Sequence, residues 1–308
     1  METRSFGATG LRVSAVGFGA GSIGEESTSE AEVDQLLGAA LDAGVTLVDT
    51  ARSYGVSEER LGRLLEGRRD RVVLSTKVGY GTPGIPDWTG PCIEAGVDAA
   101  LRRLRTDWID VVHLHSCGLD VLQRGEVTDA LQRAVTAGKV RVAAYSGENE
   151  ALQWAVESGA FGSIQCSVSV VDQTVLDGAV AQARARGLGV LAKRALGNAP
   201  WRFETRPEAD DVAEAWQRFR ALCGELGVSS AATDQGPTAA PGETSWTELF
   251  TRFTGYAPGV DALLVGTRSA AHLVAAVAAV ERGPLEATQV ASLRDAFVRC
   301  GTGWRGRI

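Results

Sequence analysis

At 308 residues, with 44% hydrophobic and 22% charged side chains, the chain has the composition of an ordinary globular protein with a sizeable core. That length fits two average domains or one large α/β barrel of about 250 residues. A formal charge of -7 and a pI of about 5.2 disfavour a nucleic-acid backbone or an anionic membrane as partner and favour a small molecule.

Strand-like runs of β-branched and apolar residues alternate with helical patterns along the chain, the sequence form of repeated βα units. Before the first unit, Arg4 to Arg12 with its Thr9-Gly10 turn reads as a small hairpin that caps a barrel floor. The first unit is Val13 to Phe18 and a helix from Glu30 to Ala43, opened by Ser29-Glu30-Ala31-Glu32 at capping-box spacing. The next three are Thr46 to Asp49 with Glu58 to Leu65, Val72 to Lys77 with Cys92 to Leu104, and Ile109 to His115 with Val127 to Ala137. Val140 to Ser146 pairs with Glu150 to Ser158, and Ser163 to Val168 with Val175 to Arg186. Gly189 to Lys193 is followed by helical patterns at Val212 to Leu226 and Trp246 to Thr254, and Ala262 to Val265 by His272 to Val280. Eight units without a composition break predict a single (β/α)8 barrel domain over residues 1–308, with the small, polar and helix-breaking stretch 229–245 as a flexible loop.

Two patterns invite other readings. Gly19 to Gly24 match G-x-G-x-x-G, but a dinucleotide fingerprint needs its last glycine in the opening turn of the helix, and the capping box starts that helix five residues later. The glycines read instead as a turn at a barrel mouth that lets a ligand approach the backbone. His113 and His115 face the same way at a strand end and resemble the paired ligands of a metal-dependent barrel hydrolase. A catalytic zinc needs a third strong ligand. The remaining histidine, His272, falls on the last helix, so no metal is expected and His113 reads as barrel-interior packing. The scattered cysteines, Cys92, Cys117, Cys166, Cys223 and Cys300, form no C-x-x-C pair, and the N-terminus has no basic run ahead of an apolar stretch. With no segment long and apolar enough to span a bilayer, free thiols and a cytoplasmic location are expected.

Four residues carry the chemical signal. Asp49, Lys77 and His115 close the second, third and fourth strands, and Tyr54 lies in the loop above the second. In a parallel barrel these strand ends open on the face where active sites lie. Taken singly, each has a structural explanation as a turn cap, a solvated cation, a surface ring or a packed histidine. Together they make a general acid and base, because an unperturbed phenol titrates near ~10 and an adjacent ammonium stabilises its phenolate.

With these residues in place the chain resembles the aldo-keto reductases over nearly its whole length. Gly7-Ala8-Thr9-Gly10-Leu11-Arg12-Val13-Ser14 is similar to the family's opening hairpin, Asp49-Thr50-Ala51-x-x-Tyr54-Gly55 to its most diagnostic motif, and Asp110 ahead of His115 to another. The resemblance implies that Tyr54 is the general acid for carbonyl reduction, that Lys77 lowers its pKa, that Asp49 holds Lys77, and that His115 orients and polarises the carbonyl oxygen. It also implies hydride delivery from NADPH, with Ser146 and Gln165 at the nicotinamide amide, Lys193, Arg194, Leu196 and Gly197 in the loop after the seventh strand, and Thr267 and Arg268 as a clamp for the adenosine 2′-phosphate. The chain departs from the family at Gly147, where Asn is common, at Lys193, where an aromatic ring often stacks on the nicotinamide, and at Ala275 and Ala276, in place of a Glu-Asn pair. A cation at position 193 disfavours an oxidised nicotinamide.

The expected function is therefore NADPH-dependent reduction of an aldehyde or ketone, reversible to alcohol oxidation with NADP+. A cofactor-binding sensor or regulatory subunit with little turnover is the alternative, since the family includes barrels attached to channels. Specificity is expected in the long βα connections, Tyr80 to Pro91 with Trp88, Ser116 to Gly125, and the region after Leu196 with Trp201 and Phe203. Those aromatics either line an apolar pocket or pack at the surface or between loops. Trp304, near Arg305 and Arg307, is expected to fold over the mouth.

Overall fold

The computed structural model describes residues 1–230, 236 and 244–307, so most of the 229–245 loop lies outside the described residues. Eight parallel strands close into a barrel, β3 (Val16–Gly19), β4 (Leu47–Asp49), β5 (Val73–Val78), β6 (Ile109–His115), β7 (Val140–Ser146), β8 (Ser163–Ser167), β9 (Gly189–Lys193) and β10 (Ala262–Gly266), with β10 returning to β3. An antiparallel hairpin, β1 (Thr3–Ser5) and β2 (Arg12–Ser14), precedes them. Around the strands lie α1 (Glu30–Asp42), α2 (Ser57–Leu64), α3 (Gly90–Leu104), α4 (Leu119–Gln123), α5 (Glu126–Thr136), α6 (Asn149–Glu157), α7 (Ala181–Ala185), α8 (Asp210–Leu226), α9 (Trp246–Gly255), α10 (Ala270–Glu281) and α11 (Ala287–Cys300). No described helix is long and apolar enough to cross a membrane.

The hairpin plugs the N-terminal end of the barrel. Phe6 and Val13 are fully buried in one cluster with Leu47, Val111, Leu191 and Leu264 from four barrel strands. Ala8 N donates to Gly187 O and Gly7 N to Asp261 Oδ2, tying the turn to the segments that enter β9 and β10. Burying a phenylalanine in this way contributes about 2–3 kcal/mol.

The first barrel strand starts at Val16, three residues later than predicted, because Val13 belongs to the hairpin. Ser14 makes the break, donating its hydroxyl to Val16 O at 2.6 Å and accepting from Thr46 N at 2.9 Å. The predicted capping box of α1 is present: Ser29 Oγ accepts from Glu32 N and the Glu32 carboxylate accepts from Ser29 N at 2.8 Å. The helix predicted over Val175 to Arg186 opens with a wider π turn, Leu176–Val180, which keeps Leu176, Ala179 and Val180 buried together. The last helix, α11, was outside the predicted units, and it buries Leu293, Ala296 and Phe297.

Candidate active site

Strand register brings the four signal residues to one mouth. Asp49 pairs with Ser75, and Lys77 lies two residues further along on the same face of β5. Lys77 in turn pairs with His113, and His115 lies two further along β6. The stagger of a closed barrel thus raises each residue by one layer over the last. His115 is level with Ser146, and Ser146 with Gln165, so these three span adjacent strands in one layer.

The buried centre of this group is an ion pair. Lys77 Nζ donates to Asp49 Oδ2 at 2.6 Å and to Thr50 O at 2.8 Å, with both side chains almost fully buried. Asp49 Oδ1 accepts from Ser75 Oγ at 2.7 Å and from Gln165 Nε2 at 3.1 Å, and Gln165 Oε1 accepts from Ser146 Oγ at 2.9 Å. Burial pushes the Asp49 carboxyl up, but the Lys77 ammonium, the His113 ring and the hydrogen bonds from Lys77 and Ser75 together outweigh it and hold the group below the ordinary carboxylate value. Burial likewise pushes Lys77 down, and Asp49 with Tyr54 more than reverses it, so the ammonium titrates above its ordinary value.

Tyr54 stands over this pair, its ring centroid 4.9 Å from Lys77 Nζ and 6.2 Å from the His115 ring, edge on. The glycine-rich turn after β3 packs beneath it. A Cβ on Gly24 would lie 1.7 Å from the Tyr54 carbonyl oxygen, so at this position the close approach is that of the Tyr54 loop rather than a ligand. Burial and the Lys77 and Lys193 charges drive the His115 imidazolium down to about 3, and burial drives His113 to about 4. Both rings are therefore neutral at pH 7. His113 is fully buried inside the barrel, as expected, and its Nε2 has no hydrogen-bond partner among the described residues. Among the described residues no group of three His, Cys, Asp or Glu side chains is arranged to hold a metal ion.

The residues expected to hold a cofactor form a second arc around the mouth. Ser146 and Gln165 are buried beside Asp49, as above. Lys193 is not an isolated cation: its Nζ lies 3.2 Å from Glu148 Oε1, which also accepts from Ser167 N and Ser167 Oγ at 2.8 Å. That carboxylate balances the Lys193 charge, the cation expected to disfavour an oxidised nicotinamide. Arg194 and Gly197 both have left-handed backbones in the loop after β9, Leu196 is half-buried there, and Arg194 Nη1 donates to Arg307 O at 2.7 Å. The buried Ser169 hydroxyl beside this loop has no hydrogen-bond partner among the described residues, and Ser169 lines a small cleft with Asp172, Arg194, Gly197 and Asn198. Thr267 Oγ1 accepts from Ser269 N at the start of α10. Arg268 forms a 2.9 Å ion pair with Glu25, both ends more than half exposed. Ala275 is exposed and Ala276 buried on α10.

Three side chains at the mouth were not singled out from sequence: Tyr80, Glu25 and Glu148. Tyr80 Oη lies 2.9 Å from His115 Nδ1. Its signal was its place three residues beyond Lys77, at the head of a loop expected to govern specificity. Trp201 is almost fully buried against Phe250 of α9 and Phe219 of α8, at 4.9 and 6.2 Å, so it packs on these helices instead of lining an open pocket. Trp88 packs on Tyr80 at 5.6 Å, and Phe203 O accepts from Trp216 Nε1. Trp304 stacks edge-on against Phe297 at 5.4 Å, while the tail beyond it reaches the mouth where Gly306 exchanges two hydrogen bonds with Asn149.

A model of the Aldo/keto reductase family matches residues 15–297. L-galactose dehydrogenase of Arabidopsis thaliana is 30% identical over 211 residues, 64% of this chain and 66% of that protein. The 6-dehydroglucose reductase of Novosphingobium aromaticivorans is 34% identical over 150 residues, 45% of this chain and 49% of that protein. The matches thus span about half to two thirds of these relatives. The holo form of an aldo-keto reductase from Bacillus halodurans superposes with a TM-score of 0.78 at 24% identity, covering 96% of each chain.

Proposed function

The chain belongs to the aldo/keto reductase family, and from that premise we propose that it reduces an aldehyde or ketone to an alcohol with NADPH, Tyr54 supplying the proton. The observation that carries this reading is the buried Asp49–Lys77 pair under the Tyr54 ring, an ammonium kept charged at neutral pH beside a phenol. When Tyr54 gives its proton to the carbonyl oxygen, Lys77 compensates the phenolate left behind. Asp49 holds that ammonium in place, and Ser75 and Gln165 hold Asp49. Neutral His115 orients the carbonyl oxygen by donating a hydrogen bond.

The mouth fits a dinucleotide. The Ser169 hydroxyl beside Gly197 and Arg194, with no hydrogen-bond partner among the described residues, offers a buried polar group to a bound molecule, and Arg268 at the start of α10 offers a fork for a phosphate. Ser146, Gln165, Lys193, Arg194, Leu196 and Gly197 would hold the nicotinamide half and the pyrophosphate, with Thr267 and Arg268 at the 2′-phosphate. When bound, NADPH supplies the hydride. The sugar-related names of two relatives favour a polyhydroxylated carbonyl as substrate.

Mixing the purified protein with NADPH and 4-nitrobenzaldehyde, and following nicotinamide absorbance, tests the reading. Turnover is expected, and Tyr54→Phe is expected to reduce kcat by about 10²–10⁴-fold while cofactor binding survives. Full activity in Tyr54→Phe would remove Tyr54 as proton donor. Tight NADPH binding without turnover on a broad carbonyl panel would assign the sensor role instead.

A further inference from the structure

The hydrogen bond of His115 comes from Tyr80, in the loop after β5. Tyr80 stacks on its ring at 5.4 Å with the planes 25° apart, and its hydroxyl lies 2.9 Å from Nδ1. Stacking and hydrogen bond act on the same imidazole, so together they fix both its plane and its rotation.

Tyr80 is itself held by a built feature of the loop. Gly79 has φ +137°, and a Cβ there would lie 2.0 Å from the Trp88 ring, so only glycine lets the chain reverse after β5 with Trp88 folded back over it. Trp88 N donates to Gly79 O at 2.8 Å, and its indole packs on Tyr80 at 5.6 Å. The phenol is thus clamped between Trp88 and His115.

A neutral imidazole carries one proton, and the partner of one nitrogen decides which nitrogen holds it. Resting on the proposed reduction, we infer that Tyr80 is a positioning residue: its O–H donates to His115 Nδ1 and so places the ring proton on Nε2, the nitrogen left to face a carbonyl oxygen. Tyr54 and Tyr80 then divide the work. Tyr54 moves a proton, and Tyr80 keeps one where it is.

The test is 15N NMR of the histidine rings in the protein without cofactor or substrate, with His115 assigned by comparison with His115→Gln, and Tyr80→Phe as the perturbation. Phenylalanine keeps the stacked ring and removes only the hydroxyl. In the wild type, His115 is expected as the Nε2–H tautomer, and in Tyr80→Phe as a mixture of tautomers. With 4-nitrobenzaldehyde and NADPH, Tyr80→Phe is expected to lower kcat about tenfold with KM within about twofold, the loss of one hydrogen-bonded orientation. A wild-type His115 protonated on Nδ1, or a tautomer unchanged by Tyr80→Phe, overturns the inference. Because the tautomer is read without turnover, a wild type that reduces no carbonyl would count against the functional reading alone.

Discussion

Lys77→Met removes the ammonium and keeps most of the side chain's length, leaving Asp49 buried without its cation. Breaking one side of a buried pair costs about 3–5 kcal/mol. Asp49 retains Ser75 Oγ at 2.7 Å and Gln165 Nε2 at 3.1 Å, which places the expected loss near the lower end, about 3 kcal/mol at pH 7. The pH dependence has a defined sign. In the wild type Asp49 titrates below its unfolded value, so its stabilising contribution is present above about pH 4 and is lost only as the pH falls through the folded value. Lys77 titrates above its ordinary value, so its contribution is complete below the unfolded pKa of about 10.4 and is lost as the pH rises through the folded value. In Lys77→Met, burial with no counter-ion raises the Asp49 pKa above the unfolded value, so the folded variant gains stability relative to its neutral-pH state as acid protonates Asp49. Urea denaturation followed by tryptophan fluorescence at pH 7 and pH 4.5 should give a penalty at least about 1 kcal/mol smaller at the lower pH. Adding Asp49→Asn should recover most of the loss at pH 7, since no uncompensated charge remains. A penalty below about 1 kcal/mol at pH 7, or one equal at both pH values, would refute the claim that this pair is a desolvated, mutually dependent unit.

Arg268→Ala should weaken NADPH binding about 10- to 100-fold and leave NADH nearly unchanged, the loss of charge-assisted hydrogen bonds to one phosphate. Nucleotide fluorescence titration reads both, and equal losses for the two cofactors would remove Arg268 from the 2′-phosphate. Glu25 holds the same guanidinium at 2.9 Å, so Glu25→Gln should tighten NADPH by about two- to fivefold, the scale of an exposed ion pair, and an unchanged dissociation constant would show no competition. With His115 neutral down to about 3, kcat/KM for carbonyl reduction should carry no step from this residue between pH 5 and 8. A step near pH 6.5 that disappears in His115→Gln would contradict that.

The barrel was legible because each βα unit repeats its own local pattern. The capping box at Ser29 and Glu32 and the apolar strand cores need only nearest neighbours to be read. Where a side chain at a boundary redirects the backbone, local pattern was insufficient. Ser14 ends the hairpin by bonding residues two and thirty-two positions away, and nothing in the apolar run from Val13 onward marks that break. Trp201 reads equally well as pocket lining or packing, and only its neighbours Phe219 and Phe250 decide between them.

The same division runs through the site. Sequence by itself determined that Asp49, Tyr54, Lys77 and His115 meet at one barrel mouth, because strand ends in a parallel barrel share a face whatever the details of packing. Tertiary structure decided what charge Asp49, Lys77 and His115 hold and which partners surround them. The pairing of Lys193 with Glu148 and the capture of Arg268 by Glu25 join residues 45 and 243 positions apart. The clamp of Tyr80 on His115 spans 35. Electrostatics and hydrogen bonding act through distances of a few ångströms in a partly desolvated site, and those distances exist only once the loops above the strands have closed.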